Sequence, residues 1–414
     1  MRAQSVLISG AGIAGPTLAF WLNAAGFKTT IVERAPGLRA GGYVIDFWGL
    51  GYDIAERMGL ADDLKRVGYS MREMRIVDAR GERITGFGTR VFRELTGGQF
   101  VTLARADLAR LLFETAKVKT DVLFGDEIVA LEERPDDVRA QFRRAGARPF
   151  DLVIGADGLH SNVRGLAFRP QQQFEKDLGY TVAAFETQGY RPRDEDVYVI
   201  YSEARQMVAR FALHDDLTLF LFVFTHEESS PKMPDLKAQK AMLRRRFSAS
   251  GWECAQILAR LGRATDIYFD RVAQIKMPSW SRGRVALVGD AAFCVSLMAG
   301  QGSALAMIGA YVLAGELAKA GGQHDQAFNR YEAILRAFID SKQKGAERFT
   351  TAFAPRTRLG LFVRNQVIKA CAIPGVARLA LSRDIADTLK LPDYSWPALA
   401  RATASTGDAP LANP

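Results

Sequence analysis

The chain has 414 residues, of which 48% are hydrophobic and 10% aromatic, and its formal net charge is +9 at pH 7. This composition excludes disordered and fibrous proteins and indicates two or three structural units with a substantial core. The longest nearly continuous apolar run, residues 217–224, is far too short to span a bilayer, so we expect a soluble protein without membrane insertion. Three widely spaced cysteines without a C-x-x-C pattern favour a reducing, cytoplasmic location, and we expect no structural metal.

The positive charge is concentrated near the C-terminus. Residues 336–383 contain ten Lys and Arg against two acidic residues, and therefore account for +8 of the total. Nothing in this segment resembles a groove-reading or RNA-binding module, so we expect no nucleic-acid partner. A solvated helix face is the simplest explanation of the charge; attraction of an anionic cosubstrate or of a membrane surface is the alternative.

The first turn of the chain is its most informative motif. A short apolar strand at residues 6–8 leads into Gly10, Gly12 and Gly15, which have the spacing G-x-G-x-x-G, and a helix and a second strand follow. In such a βαβ unit the glycines permit the tight turn, the approach of the backbone to a pyrophosphate, and close packing of helix and strand. Glu33 ends the second strand about 20 residues later, where a carboxylate accepts ribose hydroxyls and disfavours a 2′-phosphate. The unit therefore predicts binding of FAD or NAD.

Three later stretches also carry candidate ligand-binding groups. Residues 105–113 predict a helix with Arg105 at its N-terminal end, where a cation is unfavourable beside the helix dipole unless an anion binds nearby. A predicted strand then runs into GADGLHSNVR, a turn that presents Asp157 and backbone amides beyond the strand end. A third turn of this kind, GDAAF at 289–293, carries Asp290.

The remaining sequence predicts a sheet followed by helices. Between Tyr180 and Tyr268 apolar and polar residues alternate, which predicts an antiparallel sheet with one covered face, its aromatic residues mostly in the core. After Ser303 the apolar spacing becomes helical, and residues 401–414 have the composition of a disordered tail. The predicted helices cover residues 305–318, 326–349 and 361–371.

The three turns together resemble the motifs of the single-component FAD-dependent aromatic hydroxylases, the p-hydroxybenzoate hydroxylase-like family. The resemblance joins GAGIAG with Glu33, GADGLHSNVR, and GRVALVGDAAF with AGQGSALAM, and it is spread over roughly the first 345 residues. A local resemblance to the tetracycline-inactivating flavin monooxygenases rests on Arg39, on residues 41–46 and on the helix start at Arg105.

We therefore expect an α/β fold: a Rossmann-like FAD-binding domain with a β-sheet substrate domain and C-terminal bridging helices. The FAD-binding domain is expected to be discontinuous, and the sheet domain likewise consists of two segments. The predicted divisions are 1–70, 100–175 and 276–345 for FAD binding, 71–99 and 176–275 for the sheet, 346–400 for the helices and 401–414 for the tail.

The resemblance also implies the cofactor-binding residues. It places Asp290 at the ribityl or pyrophosphate part of FAD, Asp157 near FAD and the nicotinamide route, Arg105 in contact with the flavin cofactor, Asp46 near the flavin, and Arg39 as a candidate for the phosphate of NADPH. The helix that Gly300 and Gly302 open would present its amides and positive dipole end to the flavin ring and stabilise the reduced, anionic form. The full predicted set is Gly10, Gly12, Ala14, Gly15, Glu33, Arg34, Arg39, Asp46, Arg105, Asp157, Asp290, Gly300 and Gly302.

The chain departs from the family pattern in one loop. Phe293 stands where the family usually has His after GDAA, and Ser296 and Leu297 stand where it has prolines, so the substrate cannot be taken from a well-known member. No general base is assigned, because His214 and His226 are equally well explained as surface residues of the sheet.

The resemblance implies a FAD-dependent monooxygenase of the class A flavoprotein hydroxylase type. Such an enzyme uses NADPH or NADH and O2 to hydroxylate an aromatic or polycyclic enolic small molecule through a flavin C4a-hydroperoxide. The alternatives are a FAD-dependent reductase or dehydrogenase without oxygen insertion and a non-enzymatic FAD-binding sensor; a halogenase is disfavoured because its W-x-W-x-I-P signature is absent. The choice of nicotinamide, hydroxylation against Baeyer–Villiger chemistry, and monomer against homodimer stay open.

Overall fold

A computed structural model of the chain describes residues 4–39, 42–88, 96, 98–226, 234–371, 387–394 and 396. Several parts of the predictions above lie outside these residues. They are residues 1–3, 40 and Gly41 of the predicted FAD-binding domain, residues 89–95, 97 and 227–233 of the predicted sheet domain, residues 372–386, 395 and 397–400 of the predicted C-terminal helices, and the predicted tail at 401–414. Among the described helices, none is long and apolar enough to cross a membrane.

One layer of the molecule is a six-stranded sheet, parallel except for one antiparallel edge strand. Its central strands are buried on both faces, which explains why they appear in the sequence as short continuous apolar runs rather than as alternating ones. The strands in spatial order are β17 (Ser281–Arg282), β18 (Val285–Leu287), β11 (Leu152–Gly155), β1 (Ser5–Ser9), β2 (Lys28–Glu33) and β7 (Thr120–Phe124).

Helices pack against the six-stranded sheet and against a second sheet described below. The first, α1 (Ala14–Ala24), joins β1 to β2 and ends before Gly26, whose φ of +92° suits a glycine that terminates a helix. The others are α2 (Leu50–Arg57), α3 (Ala61–Val67), α4 (Arg105–Ala116), α5 (Asn162–Ala167), α6 (Leu236–Phe247), α7 (Cys254–Leu261), α8 (Asp290–Phe293), α9 (Gly302–Lys319), α10 (His324–Phe353) and α11 (Arg358–Cys371). Helix α9 is buried on nearly all sides, and α10 is longer at both ends than its apolar spacing predicted.

A seven-stranded sheet forms the second layer. All its neighbouring strands are antiparallel except β13 and β4, which are parallel. Its strands in spatial order are β16 (Tyr268–Ile275), β12 (Glu175–Gln188), β15 (Leu217–Thr225), β14 (Gln206–Ala212), β13 (Val197–Glu203), β4 (Glu73–Val77) and β5 (Arg83–Gly88).

Both faces of the seven-stranded sheet are covered, so the prediction of one covered face is wrong. On the outer face Phe220, Phe222 and Phe224 pack in a cluster with residues of α6 and α7. On the opposite face other strand residues form a cluster with Met298 and, at its margin, Leu297, which belong to the loop after α8. The aromatic side chains are therefore divided between two cores, as their alternation along each strand requires.

Two small antiparallel pieces and a C-terminal segment complete the described structure. One piece contains β8 (Ile128–Glu133), β9 (Val138–Phe142) and β10 (Ala147–Phe150), and the other contains β3 (Val44–Trp48) and β6 (Phe100–Ala104). In the C-terminal segment, Tyr394 packs over Gly315 of α9 and donates a hydrogen bond of 2.8 Å to the buried carboxylate of Glu316. Asp387 accepts the Leu50 N–H at the start of α2 at 3.0 Å.

Candidate functional site

A cavity of about 720 Å³ opens between the two large sheets. Its walls are the loops that follow β1, β2, β11 and β18, the start of α4, and strand β16 of the seven-stranded sheet. The carboxyl end of a parallel sheet is where α/β proteins bind ligands. Eleven of the thirteen predicted site residues line this cavity: Gly10, Gly12, Ala14, Glu33, Arg34, Arg39, Arg105, Asp157, Asp290, Gly300 and Gly302.

The glycine turn after β1 closes tightly on itself and leaves space on its cavity side. A Cβ on Gly15 would lie 2.0 Å from the Gly10 carbonyl oxygen, and a Cβ on Gly10 would lie 2.6 Å from that of Ala156. Gly12 is different, because a Cβ added there would find Nη2 of Arg105 as its nearest heavy atom, at 4.0 Å. Gly10 and Gly15 therefore serve backbone packing, while Gly12 keeps the floor of the cavity open beneath a guanidinium group, as a bound pyrophosphate requires.

Glu33 ties the end of β2 to this turn. Its Oε2 accepts the Ala11 N–H at 3.0 Å, and its Oε1 accepts the Ala35 N–H at 2.9 Å. Each carboxylate oxygen retains a second lone pair, so the group can also accept ribose hydroxyls. Arg34 and Arg39 lie beyond it on the exposed rim of the same cavity.

Asp157 organises the turn that follows β11. Its carboxylate accepts hydrogen bonds from the Ser161 hydroxyl, from Ser9 Oγ at 3.2 Å, and from the backbone N–H groups of Asn162 and Val163 at 3.0 and 3.1 Å. Burial raises the pKa of Asp157 above its ordinary value, while the hydrogen bond from Ser161 acts in the opposite direction. The side chain thus holds the N-terminus of α5 against β1, and Ser161 caps that helix by accepting the Arg164 N–H with its side chain.

A charged and aromatic cluster lies deeper in the cavity. Burial lowers the pKa of the Arg105 guanidinium, but Tyr43 and Asp290 raise it, and the net direction is upward. Burial raises the pKa of Asp290, and Arg105 counteracts this effect. The rings of Tyr43 and Tyr268 meet edge to face, with centroids 5.2 Å apart, and burial raises the pKa of Tyr43 to about 12. Arg105 therefore stays a cation, and Tyr43 stays a neutral phenol, beside the acidic turn of Asp290.

Two helices begin at the cavity without a side-chain cap. The N-caps of α1 and α9 are Ile13 and Gln301, neither makes a side-chain capping hydrogen bond, and neither helix has an acidic residue in its first turn. Their free N–H groups and positive dipole ends are available to a ligand rather than satisfied by the protein. The donor set therefore fits an anionic, elongated cofactor with a phosphate near α1 and an electron-rich ring near α9.

The loop between α8 and α9 forms one wall despite its unusual sequence. Phe293 is buried against Trp280, at 4.7 Å between ring centroids, and lies in the core rather than in the cavity. Ser296 has a φ of +145° and accepts the Met298 N–H with its side chain at 3.2 Å, which leads into the short 3₁₀ helix Leu297–Ala299. Cys294, Ser296 and Leu297 therefore face the cavity through a turn made without prolines.

Two predicted residues do not line the cavity. Gly15 is the packing glycine described above. Asp46 lies on β3, where Thr102 Oγ1 donates to its Oδ1 at 2.5 Å and Tyr198 of the seven-stranded sheet also hydrogen-bonds to it. Burial raises the pKa of Asp46, with those hydrogen bonds acting against the shift. The structure therefore places Asp46 at the junction between the β3–β6 ribbon and the second sheet.

Sequence reasoning missed several residues that line the cavity. His160 Nε2 lies 3.1 Å from both carboxylate oxygens of Asp270 on β16, and that hydrogen bond raises the pKa of the imidazole. His160 stands inside the GADGLHSNVR motif, and Tyr43 lies within residues 41–46 of the local resemblance, so the sequence around each of them pointed to a ligand-binding site. No sequence pattern pointed to Tyr268 and Asp270, because only the pairing of β16 within the seven-stranded sheet brings them to the cavity. His214 and His226, whose roles were left open, do not line the cavity.

Comparison with known proteins agrees with this geometry. A family model described as FAD binding domain matches residues 3–341. An uncharacterised protein of Mycobacterium tuberculosis is 41% identical over 357 residues, which cover 82% of this chain and 92% of that protein. A flavin-dependent monooxygenase of Legionella longbeachae is 32% identical over 397 residues, covering 94% of this chain and 98% of the relative.

A solved structure shows the same fold over nearly the whole chain. The crystal structure of the tetracycline destructase Tet(51) is 31% identical, has a TM-score of 0.80, and covers 95% of this chain and 99% of its own. These matches confirm the predicted α/β fold and the predicted family. The chain therefore belongs to the family that the FAD binding domain defines, and it is an FAD-dependent monooxygenase.

Proposed function

We propose that this monooxygenase uses NADH or NADPH and O2 to hydroxylate an aromatic or polycyclic enolic small molecule. The observation that carries the proposal is the continuity of the cavity. It runs from Glu33 and the glycine turn, at the nucleotide-binding end, to Tyr268 and Leu297, at the face of the second sheet. One cavity thus joins a dinucleotide-binding turn to an apolar wall, which is what a flavin held against an organic substrate needs.

The chain's own residues supply binding and electrostatics. Glu33 accepts the ribose hydroxyls of FAD, and the free N–H groups of α1 with Arg105 bind its pyrophosphate. The uncapped N-terminus of α9 at Gly302 stabilises negative charge on the flavin ring, and Arg39 at the exposed rim binds a phosphate of the nicotinamide dinucleotide. Bound FAD supplies the chemistry that amino acids lack, hydride acceptance and activation of O2.

The division into domains follows the two sheets. Strands β4 and β5 come from the segment 71–99, and β12 to β16 come from the segment 176–275, except that β12 begins one residue earlier, at Glu175; these segments build the seven-stranded sheet. The six-stranded sheet takes its strands from the three other segments. We therefore propose that the first unit holds the cofactor and the second presents the substrate to it.

The substrate class rests on the apolar wall. Tyr43 and Tyr268 present neutral rings, and Leu297 adds an aliphatic side chain from the loop after α8. Flat apolar rings with few polar groups are what such a wall binds. The tetracycline destructase Tet(51), which shares this fold at 31% identity, supports a polycyclic compound with enolic groups as one member of the class.

The test measures reduction and oxygen insertion separately. The holoenzyme is mixed anaerobically with NADPH or NADH, alone and with a panel of phenols and polycyclic enols, and bleaching of the flavin band is followed in a stopped-flow instrument. We expect one compound class to accelerate bleaching, and isotopically labelled O2 to place one labelled oxygen in that product. Electron transfer without labelled product indicates a dehydrogenase, and no bleaching under any condition indicates a sensor; either result refutes the proposal.

A further inference from the structure

Helix α11 carries an exposed apolar face. The exposed fractions are 72% for Leu359, 60% for Phe362, 52% for Val363 and 56% for Val367. These four are among only nine large apolar side chains that are exposed in the described part of the chain. Their spacing, i, i+3, i+4 and i+8, places them on one side of the helix. The exposed apolar surface is therefore concentrated on this helix rather than scattered as on an ordinary surface.

The opposite side of α11 is attached to the protein. Arg364 Nη1 donates to Ser202 Oγ of β13 at 3.1 Å. Ile368 packs against the cluster that contains Met298 and, at its margin, Leu297 of the cavity wall. The helix thus has one face anchored beside the cavity and the other directed outward.

Positive charge accompanies the apolar face. Between Glu347 and Asp384 the sequence has seven Lys and Arg and no acidic residue. Two of these cations, Arg358 and Lys369, are exposed on α11. Arg358 lies four residues before Phe362 and Lys369 seven residues after it, so both lie along one edge of the apolar stripe. Cofactor binding does not explain this concentration of positive charge near the C-terminus.

We propose that the outward face of α11 binds the surface of an anionic lipid bilayer. Leu359, Phe362 and Val363 enter the boundary between headgroups and acyl chains, while Arg358 and Lys369 contact lipid phosphates. An amphipathic helix with cations flanking a large apolar face lies in the membrane interface in this manner. The proposal concerns surface binding, since no described helix is long and apolar enough to span a membrane.

The charge of α11 favours an anionic bilayer as its partner over a second copy of the chain or a nucleic acid. In a two-fold dimer through the same face, Arg358 and Lys369 of both copies would meet with no carboxylate on the helix to offset them. A nucleic acid would match the charge but would leave Phe362 and Val363 in water. An anionic bilayer satisfies both the cations and the apolar side chains. If the proposed function holds, surface binding also keeps the cavity close to the phase in which polycyclic substrates accumulate.

Vesicle co-sedimentation of the full-length holoenzyme tests the proposal. Vesicles of phosphatidylcholine are compared with vesicles of phosphatidylcholine and phosphatidylglycerol. We expect binding to the anionic vesicles, weakened by added salt because exposed charges are screened. The double variant Leu359→Ser/Phe362→Ser is expected to lower binding at least about tenfold, and Arg358→Gln or Lys369→Gln about fivefold each at low salt. Phe362→Trp is expected to show a blue-shifted emission when anionic vesicles are added.

A matched control exists elsewhere on the surface. Val118 is 78% exposed and stands between Lys117 and Lys119, so Val118→Ser alters an equally exposed apolar residue flanked by cations. This control should bind vesicles as the wild type does. Equal binding to neutral and anionic vesicles, unchanged binding by the double variant, or a dimer that the double variant dissociates in light scattering each overturns the proposal. The anaerobic rate of flavin reduction is measured alongside, so that failure of the proposed function is recognised separately.

Discussion

Replacing Glu33 tests the nucleotide assignment most directly. The carboxylate accepts backbone N–H groups of Ala11 and Ala35 at 3.0 and 2.9 Å, and it is the group we assign to the ribose of FAD. Loss of one hydrogen bond to a charged acceptor costs about 1.5–3 kcal/mol, which raises the Kd for FAD by about 10- to 150-fold. Glu33→Ala is therefore expected to purify with little flavin. Glu33→Gln should bind FAD with an affinity between those of Glu33→Ala and the wild type, because its NH2 group must face one of the two N–H donors.

In the assay, apoprotein is titrated with FAD, and binding is monitored through the quenching of tryptophan fluorescence. The ratio of flavin to protein absorbance after desalting gives the occupancy independently. Glu132→Gln, an exposed change on β8, alters the net charge equally without touching the cavity. Full occupancy and an unchanged Kd in Glu33→Ala would refute the assignment of this carboxylate to the cofactor.

Three further changes probe packing, the C-terminal segment and pH. Gly15→Ala places a Cβ 2.0 Å from a backbone oxygen, so it should destabilise the fold by about 1–3 kcal/mol in urea and reduce flavin content. Tyr394→Phe removes the 2.8 Å donor to Glu316, whose side chain is buried, and should lower the free energy of unfolding by about 1.5–3 kcal/mol. Because Asp270 raises the pKa of His160, the stability from their pair is present below about pH 6.5 and is lost as pH rises through the raised value. Asp270→Asn should therefore lower the thermal midpoint most at acidic pH.

Each of these predictions has a control or a contrary result. Gly37→Ala, in a loop of the same cavity where a Cβ would meet nothing within 4 Å, should leave stability and flavin content unchanged. Equal stability of Tyr394→Phe and wild type would show that the C-terminal segment contributes little. Asp266→Asn, an exposed cavity residue, should show no pH-dependent difference; a constant difference for Asp270→Asn across the pH range would contradict the assignment to His160.

Local chemistry made much of the site predictable. The glycine turn, Glu33, Asp157 and Asp290 all lie within a few residues of a strand end, and turn geometry is encoded by the residues of the turn itself. Their meeting in one cavity followed from the parallel sheet, because the carboxyl ends of its strands share one edge. These residues can therefore be recognised without knowledge of how the second sheet is arranged.

The sequence did not predict the contacts that distant elements of the chain supply. Tyr268 and Asp270 reach the cavity only because β16 pairs with β12 at the edge of the seven-stranded sheet. Tyr394 reaches Glu316 across 78 residues of sequence. Such placements depend on packing between whole elements, and spacing along the chain carries no information about them. The same reason explains why the apolar alternation of the sheet did not reveal that both its faces are covered.

Three of the carboxylates that line the cavity, Asp157, Glu33 and Asp290, differ in how much of their hydrogen-bonding capacity the protein already uses. Asp157 accepts two hydroxyls and two backbone N–H groups, so its turn saturates it. Glu33 accepts two N–H groups and has one lone pair left on each oxygen. The Cys294 thiol, a weak donor, lies beside Asp290 but also donates to the Ala273 carbonyl oxygen at 3.5 Å, and no backbone N–H or hydroxyl of a described residue donates to the Asp290 carboxylate. A ligand therefore finds most unused acceptor capacity at Asp290, then at Glu33, and least at Asp157. Buried acceptors without partners are costly, so this order argues that Asp290 depends most on a bound cofactor, whereas Asp157 holds its turn in place whether or not one is bound.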